Sequence, residues 1–296
     1  MAYAGAVPGP RLRLRHAWGV ARPMGWLRFS RGREHPLADA APGFAGRFWP
    51  VWGLGLLGVL TLALQPPPAS LVEQVPRLQS LHPLALRGLL ILNPLILVSV
   101  CAAVGASVAH RAGLGSHAAN TARNTLSPLF AVAVGGLVAV VLFALDAAMA
   151  PHLGTRWQEV KAHADNAPWF PALAVGVLYG GFAEEVTMRW GVMSLVAWLL
   201  CRLFAPRSMA VGVASGMPAR LAHVAIVVSA GVFAAGHLPA MAQGIDLSAP
   251  LVARTLGLNM LAGLVYGWLF WRRSLETAMV AHGTTHVGFV ILRSLT

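Results

Sequence analysis

"GGFAEEVTMRWGV" occupies residues 180–192 and lies inside the apolar run 169–204. Glu184, Glu185 and Arg189 therefore sit where the surrounding residues suit lipid. The run exceeds the roughly 20 residues that cross a bilayer as a helix, so the stretch reads as part of a transmembrane helix. At ~1.5 Å per residue the run would measure about 52 Å, well beyond a hydrocarbon core of about 30 Å. The helix must tilt, break near Gly180–Gly181, or protrude at the end carrying Arg202 and Arg207. Protrusion places Glu184 near mid-membrane, with His237 returning to a similar depth in the next run.

Six further apolar runs surround this one, at about 48–65, 84–109, 126–150, 220–240, 251–271 and 275–293. The chain is 57% hydrophobic and 11% charged, against about 25% charged in a soluble domain. These features predict an all-α, polytopic helical integral membrane protein with about seven to eight transmembrane helices. Nothing resembles the alternating ten-residue segments of an outer-membrane barrel. One membrane domain is expected over residues 46–296. Residues 1–45, rich in Arg, Pro, Gly and Ala, read as a disordered basic cytoplasmic tail. Within it, the interleaved Trp and Arg of "HAWGVARPMGWLRFSRG" suit a membrane surface.

The formal net charge of +12 would suit nucleic acid, but the arginines cluster between apolar runs, which is the pattern of topology-setting charge. With the N-terminus inside, inner segments hold fifteen basic residues: eight up to Arg47, then Arg111, Arg123, Arg202, Arg207, Arg220, Arg272 and Arg273. The outer side holds Arg77, Arg87, Arg156, Lys161, Arg254 and Arg293. This asymmetry favours a cytoplasmic N-terminus and a plasma (inner) membrane location, with no nucleic-acid partner. Cys101 and Cys201 lack metal-ligand spacing and read as buried free thiols.

Ionisable groups inside a membrane are expensive and usually face a partner or a wet cavity. Glu185 and Arg189 are spaced i, i+4, so they share a helix face and can pair. Glu184 lies about 100° further round the helix. One carboxylate is thus neutralised and the other is left free to act. His237, in "GVFAAGHLPA", and His282 and His286, in "SLETAMVAHGTTHVGFVIL", are the histidines set within other runs. His282 and His286 project from one helix face. Such a set suits activation of water, with a glutamate taking the proton and further donors steadying an oxyanion. Glu276 is expected at the surface, Asp146 as a boundary residue at the outer interface, and Thr284 and Thr285 with no role beyond bonding to their own helix.

At these residues the sequence resembles the CPBP family of intramembrane proteases, also described as CAAX prenyl protease 2-like or Abi proteins. The family pattern is EExxxR, then FxxxH, then HxxxN or a similar polar ending. Here "EEVTMR" spans Glu184 to Arg189, "FAAGH" spans Phe233 to His237 and "HGTTH" spans His282 to His286. The approach "NMLAGLVYGWLFWRRSLETAMVAH" also resembles the family, and the protease-like core covers about residues 170–296. The resemblance implies an endopeptidase acting on a membrane-associated protein or peptide. Eukaryotic relatives remove the last three residues of prenylated CAAX proteins, and bacterial relatives have varied roles, among them bacteriocin maturation and immunity. By motif, Glu184 would be the general base, Glu185 and Arg189 the supporting pair, and Phe233 the packing partner of His237. His237 would bind water, and His282 and His286 would stabilise the oxyanion.

His286 departs from the pattern, because histidine stands where asparagine is usual. It completes a set, Glu184, His237, His282 and His286, whose donors suit zinc. The glutamate–histidine mechanism needs no metal and is the favoured expectation. HExxH is absent, since "HGTTH" lacks the glutamate, and neither a GxGD aspartate pair nor GxSxG is present. Two readings from other classes stay open: a non-catalytic scaffold or immunity protein, and an ion or proton pathway.

Overall fold

The computed structural model describes residues 42–65, 75–122, 124–165, 169–204 and 217–296. The expected basic tail falls almost wholly outside these residues. Among the described residues every regular element is helical. We number the principal helices α1 (Phe44–Leu60), α2 (Pro83–Val108), α3 (Pro128–Met149), α4 (Thr155–Asp165), α5 (Trp169–Phe204), α6 (Ala219–Gly236), α7 (Ala249–Arg272) and α8 (Leu275–Ser294).

Local chemistry sets several of the boundaries. Proline opens α2 and α3, where its missing N–H costs nothing. Ser248 Oγ caps α7 by accepting from Leu251 N, and Ser274 Oγ caps α8 by accepting from Thr277 N. Among the described residues, six segments are long and apolar enough to cross a membrane; they contain α1, α2, α3, α5, α6 and α7. This is fewer than seven or eight because α8, the last apolar run, is interrupted by Glu276, His282, His286 and paired threonines. It packs against α3, α5 and α7. Leu84, Leu92, Leu129, Leu137, Val227 and Ile291 point outward along the bundle. An apolar exterior of this kind suits lipid rather than water.

The long helix α5 does not break at Gly180–Gly181. It continues with wide turns, π-helical over Val175–Glu184 and Val186–Met193 between α-helical ends. Ser194 shows the register directly, because its backbone N–H bonds Arg189 O, five residues back. π-turns inside helices are rare and concentrate at functional sites.

Small residues let the helices approach closely, as membrane packing requires. A Cβ at Gly58 would collide with Leu178 O, and one at Gly105 would enter the Trp190 ring. Trp190 is fully buried and its indole donates to Ala102 O at 3.2 Å. Gly135 of α3 touches the Ala281 carbonyl of α8 so closely that no side chain fits between them.

Glu276 corrects the sequence reading. It is half-buried and accepts hydrogen bonds from Ser116 Oγ (2.5 Å), His117 N (2.9 Å) and Ala118 N (3.1 Å). Leu275 N bonds Gly115 O beside it at 3.0 Å. The start of α8 is thereby clamped to the loop that follows α2. Both cysteines are free; Cys101 is buried and Cys201 half-buried.

Candidate active site

Glu184 and Glu185 fall on different faces of α5, and their surroundings differ completely. Glu185 is fully buried. Its Oε2 lies 3.2 Å from Arg189 Nε, an ion pair without hydrogen-bond geometry. Its Oε1 lies 2.8 Å from His282 Nδ1. Arg189, also fully buried, donates to Gly263 O at 3.3 Å. Its guanidinium carbon lies 4.7 Å from the Phe233 ring centre and 5.5 Å from that of Tyr266. Delocalised charge against two aromatic faces is a favourable cation–π arrangement.

Glu184 is partly exposed, and it lines a cavity of about 330 Å³ with His237, His282 and His286. Its Oε1 is 4.0 Å from His237 Nε2, and its Oε2 is 3.9 Å from His282 Nε2. Both gaps exceed a direct hydrogen bond and suit a bridging water. His237 terminates α6, and its Nδ1 lies 2.8 Å from Phe233 O. A carbonyl only accepts, so Nδ1 carries the proton and Nε2 is left toward Glu184. Phe233 packs its ring edge-on to His237, with centres 4.7 Å apart.

His282 stacks on Tyr266 at 4.5 Å and on His286 at 5.2 Å. The backbone that receives these rings is glycine: a Cβ at Gly176 would lie 2.6 Å from His286 Nδ1, and one at Gly180 2.8 Å from His286 Nε2. The "VGVLYGG" segment thus makes room for two imidazoles. The structure therefore brings all seven residues singled out in the sequence to one place.

Residues without a sequence signal also belong to the site. Tyr266 OH donates to Thr285 Oγ1 at 2.8 Å, which in turn lies 3.0 Å from both Gly135 O and Ala281 O. Thr285 thus ties α7, α8 and α3 together beneath the histidines. Asn259 lines the cavity, with its amide nitrogen bonded to Thr255 O at 2.8 Å. Asp146 stands at the end of α3, as expected, but it also pairs with Arg254 of α7 at 2.5 Å.

The zinc set does not converge. Zn–N bonds of about 2.0–2.1 Å need lone pairs aimed at one point. His282 and His286 lie face to face, 21° from parallel, and His237 and His282 approach opposite oxygens of Glu184. Among the described residues, no group of three or more His, Cys, Asp or Glu side chains is placed to hold a metal ion.

Residues 166–288 match the family model described as Rce1-like, type II CAAX prenyl endopeptidase. The match runs from the start of α5 into α8 and so contains all three motifs. Neither the curated proteins nor the solved structures contain a match to the chain. Over residues 166–288 the chain is thus similar to the CAAX-type prenyl endopeptidases that this family model describes, and the similarity supports placing its second half with the CPBP proteases.

Proposed function

We propose that this chain is an intramembrane endopeptidase that hydrolyses a peptide bond of a membrane-associated protein or peptide, with Glu184 as general base. The observation that carries the reading is the partly exposed Glu184 carboxylate on a cavity wall, between Nε2 of His237 and Nε2 of His282. A water bridging Glu184 Oε1 and neutral His237 Nε2 would donate one hydrogen to each. Its lone pairs would then be free to attack a carbonyl carbon. Glu184 takes the proton as the C–O bond forms, and later delivers it to the departing amine.

The Nδ1···Oε1 contact between His282 and Glu185 holds the His282 ring in place, as carboxylate–histidine pairs do elsewhere. With its Nδ1–H given to the Glu185 carboxylate, His282 donates to the oxyanion from Nε2 when both ring nitrogens carry a proton. His286, stacked beside it, is a second donor from the same wall. The failure of the four residues to converge as ligands supports the metal-free version of this chemistry. The protein would lie in the plasma membrane, with a cytoplasmic N-terminus and residues 1–45 as a basic tail.

The test is cleavage of a peptide library by purified protein in liposomes. Glu184→Gln keeps the shape and removes the base, so kcat should fall by about 10³-fold. Cleavage at the wild-type rate by that variant would overturn the assignment.

A further inference from the structure

The cavity that starts at Glu184 ends among cations. Arg254, Lys161 and Arg293 line its far wall together with Asp146 and Trp157. Three helices give the depth of that wall. Tyr266 stacks on His282, and from Tyr266 back to Arg254 along α7 is about 18 Å at ~1.5 Å per residue. Along α8, His282 to Arg293 is about 16 Å by the same rise. Along α3, Gly135, whose carbonyl meets Thr285, to Asp146 is again about 16 Å. The contact between Asp146 and Arg254 shows that these levels coincide.

Arg254 is fixed in place. Its Nε donates to Asp146 Oδ1 at 2.5 Å, and its guanidinium carbon lies 4.1 Å from the Trp157 ring centre. The side chain is only 15% exposed. Its two terminal nitrogens make no hydrogen bond to the described residues, so one whole edge of the planar fork is unused. That edge matches a carboxylate in two parallel hydrogen bonds. Lys161 and Arg293 add positive charge to the same wall. Between the two ends the lining is mostly apolar, with Leu142, Phe143, Val175, Leu258 and Phe289, and Asn259 as a polar interruption. An occupant that satisfies both ends has an anionic group, an apolar middle and a hydrolysable bond.

We propose that Arg254, seated on Asp146 and Trp157, anchors a carboxylate of the peptide substrate about five residues from the bond cleaved at Glu184. The spacing follows from a span of about 16–18 Å and about 3.3 Å per residue of extended peptide. The proposal rests on the endopeptidase reading and adds to it a rule for substrate selection. The carboxylate comes from a free C-terminus or from an Asp or Glu side chain.

The experiment uses the full chain in liposomes and three peptides of one apolar sequence: free C-terminal acid, C-terminal amide, and amide with a Glu side chain at the anchoring position. Each is made with spacings from two to eight residues, in zwitterionic and in anionic vesicles. The expected result is at least a tenfold higher kcat/KM for a carboxylate-bearing peptide over the plain amide, greatest near five residues. The acid and the Glu peptide distinguish the two sources. In Arg254→Gln that ratio should fall close to one, and Arg254→Lys should keep part of it. The paired variant D146N/R254Q leaves no unpartnered charge, and must show the same loss of preference. Equal cleavage of all three peptides by wild type overturns the proposal. So does a preference that follows anionic lipid rather than the peptide's charge, because the wall would then hold a headgroup. Binding to Glu184→Gln separates this proposal from the reading beneath it. Tighter binding of the acid than of the amide supports the anchor even if no peptide is cleaved, and equal binding overturns it.

Discussion

At Arg189 a full positive charge is enclosed by one carboxylate, one backbone carbonyl and two aromatic faces. Breaking a buried pair strands the surviving charge, at a cost of about 3–5 kcal/mol. Arg189→Met should therefore destabilise the protein by roughly 3 kcal/mol, read as a lower unfolding temperature in detergent. Glu185→Gln combined with Arg189→Met removes both charges and should recover most of that stability. Activity should not fully return, because the neutral amide oxygen is a weaker acceptor for His282 Nδ1–H than the Glu185 carboxylate. A double variant that is both stable and fully active would show that the pair serves packing alone. The sequence made the Glu185–Arg189 pairing legible, since helical spacing alone puts the two side chains on one face. It did not reveal the Glu185–His282 bond, which joins residues on separate helices. Tyr266 and Thr285 were illegible for the same reason: an aromatic and a threonine in an apolar run are unremarkable until the third dimension stacks them under a histidine.

The seven apolar runs correspond to helices because length and apolarity are local properties. The character of α5 was not legible. A π-turn changes which residues share a face without changing composition, so the run's length left tilt, a break near Gly180–Gly181 and protrusion all open, and a continuous wide helix stands there. The glycines serve another purpose there, which is to seat the rings of α8. A Cβ at Gly180 would lie 2.8 Å from His286 Nε2 and 3.3 Å from His282 Nε2. Gly180→Ala should therefore displace the imidazoles and lower kcat by about tenfold, while the protein remains folded. Trimming the opposing ring relieves the conflict. The effects of Gly180→Ala and His286→Ala on kcat/KM should then be non-additive, with a coupling of about 1–2 kcal/mol in a double-mutant cycle. Strict additivity would mean that the glycine acts on the backbone of α5 and not on the histidines.

Across the whole molecule, the two ends of the bundle differ in chemistry. One end carries Arg47 bonded to Ala106 O, Glu276 clamping the loop after α2, and Asn124 bonded to Arg272 O. The other carries α4, the Asp146–Arg254 pair and the cationic end of the cavity. Basic residues outnumber acidic ones far more strongly at the first end, so the proposed orientation, with that end in the cytoplasm, follows the positive-inside rule. The clamp at Glu276 had no sequence signal, because its partners lie roughly 160 positions away and a lone glutamate near two arginines reads as surface charge. The charge asymmetry was legible because it sums over loops and needs no contacts. It makes the orientation testable in a Cys101→Ser, Cys201→Ser background. Glu159→Cys, on α4 where the native side chain is 64% exposed, should react with a membrane-impermeant maleimide in intact cells. Asn124→Cys, at the opposite end and also exposed, should react only after the membrane is permeabilised. The reversed pattern would put the N-terminus outside and turn the cationic end of the cavity toward the cytoplasm. The proposed carboxylate anchor would then lie on the cytoplasmic side, because Arg254 pairs with Asp146 and packs on Trp157 of α4 at that end of the bundle.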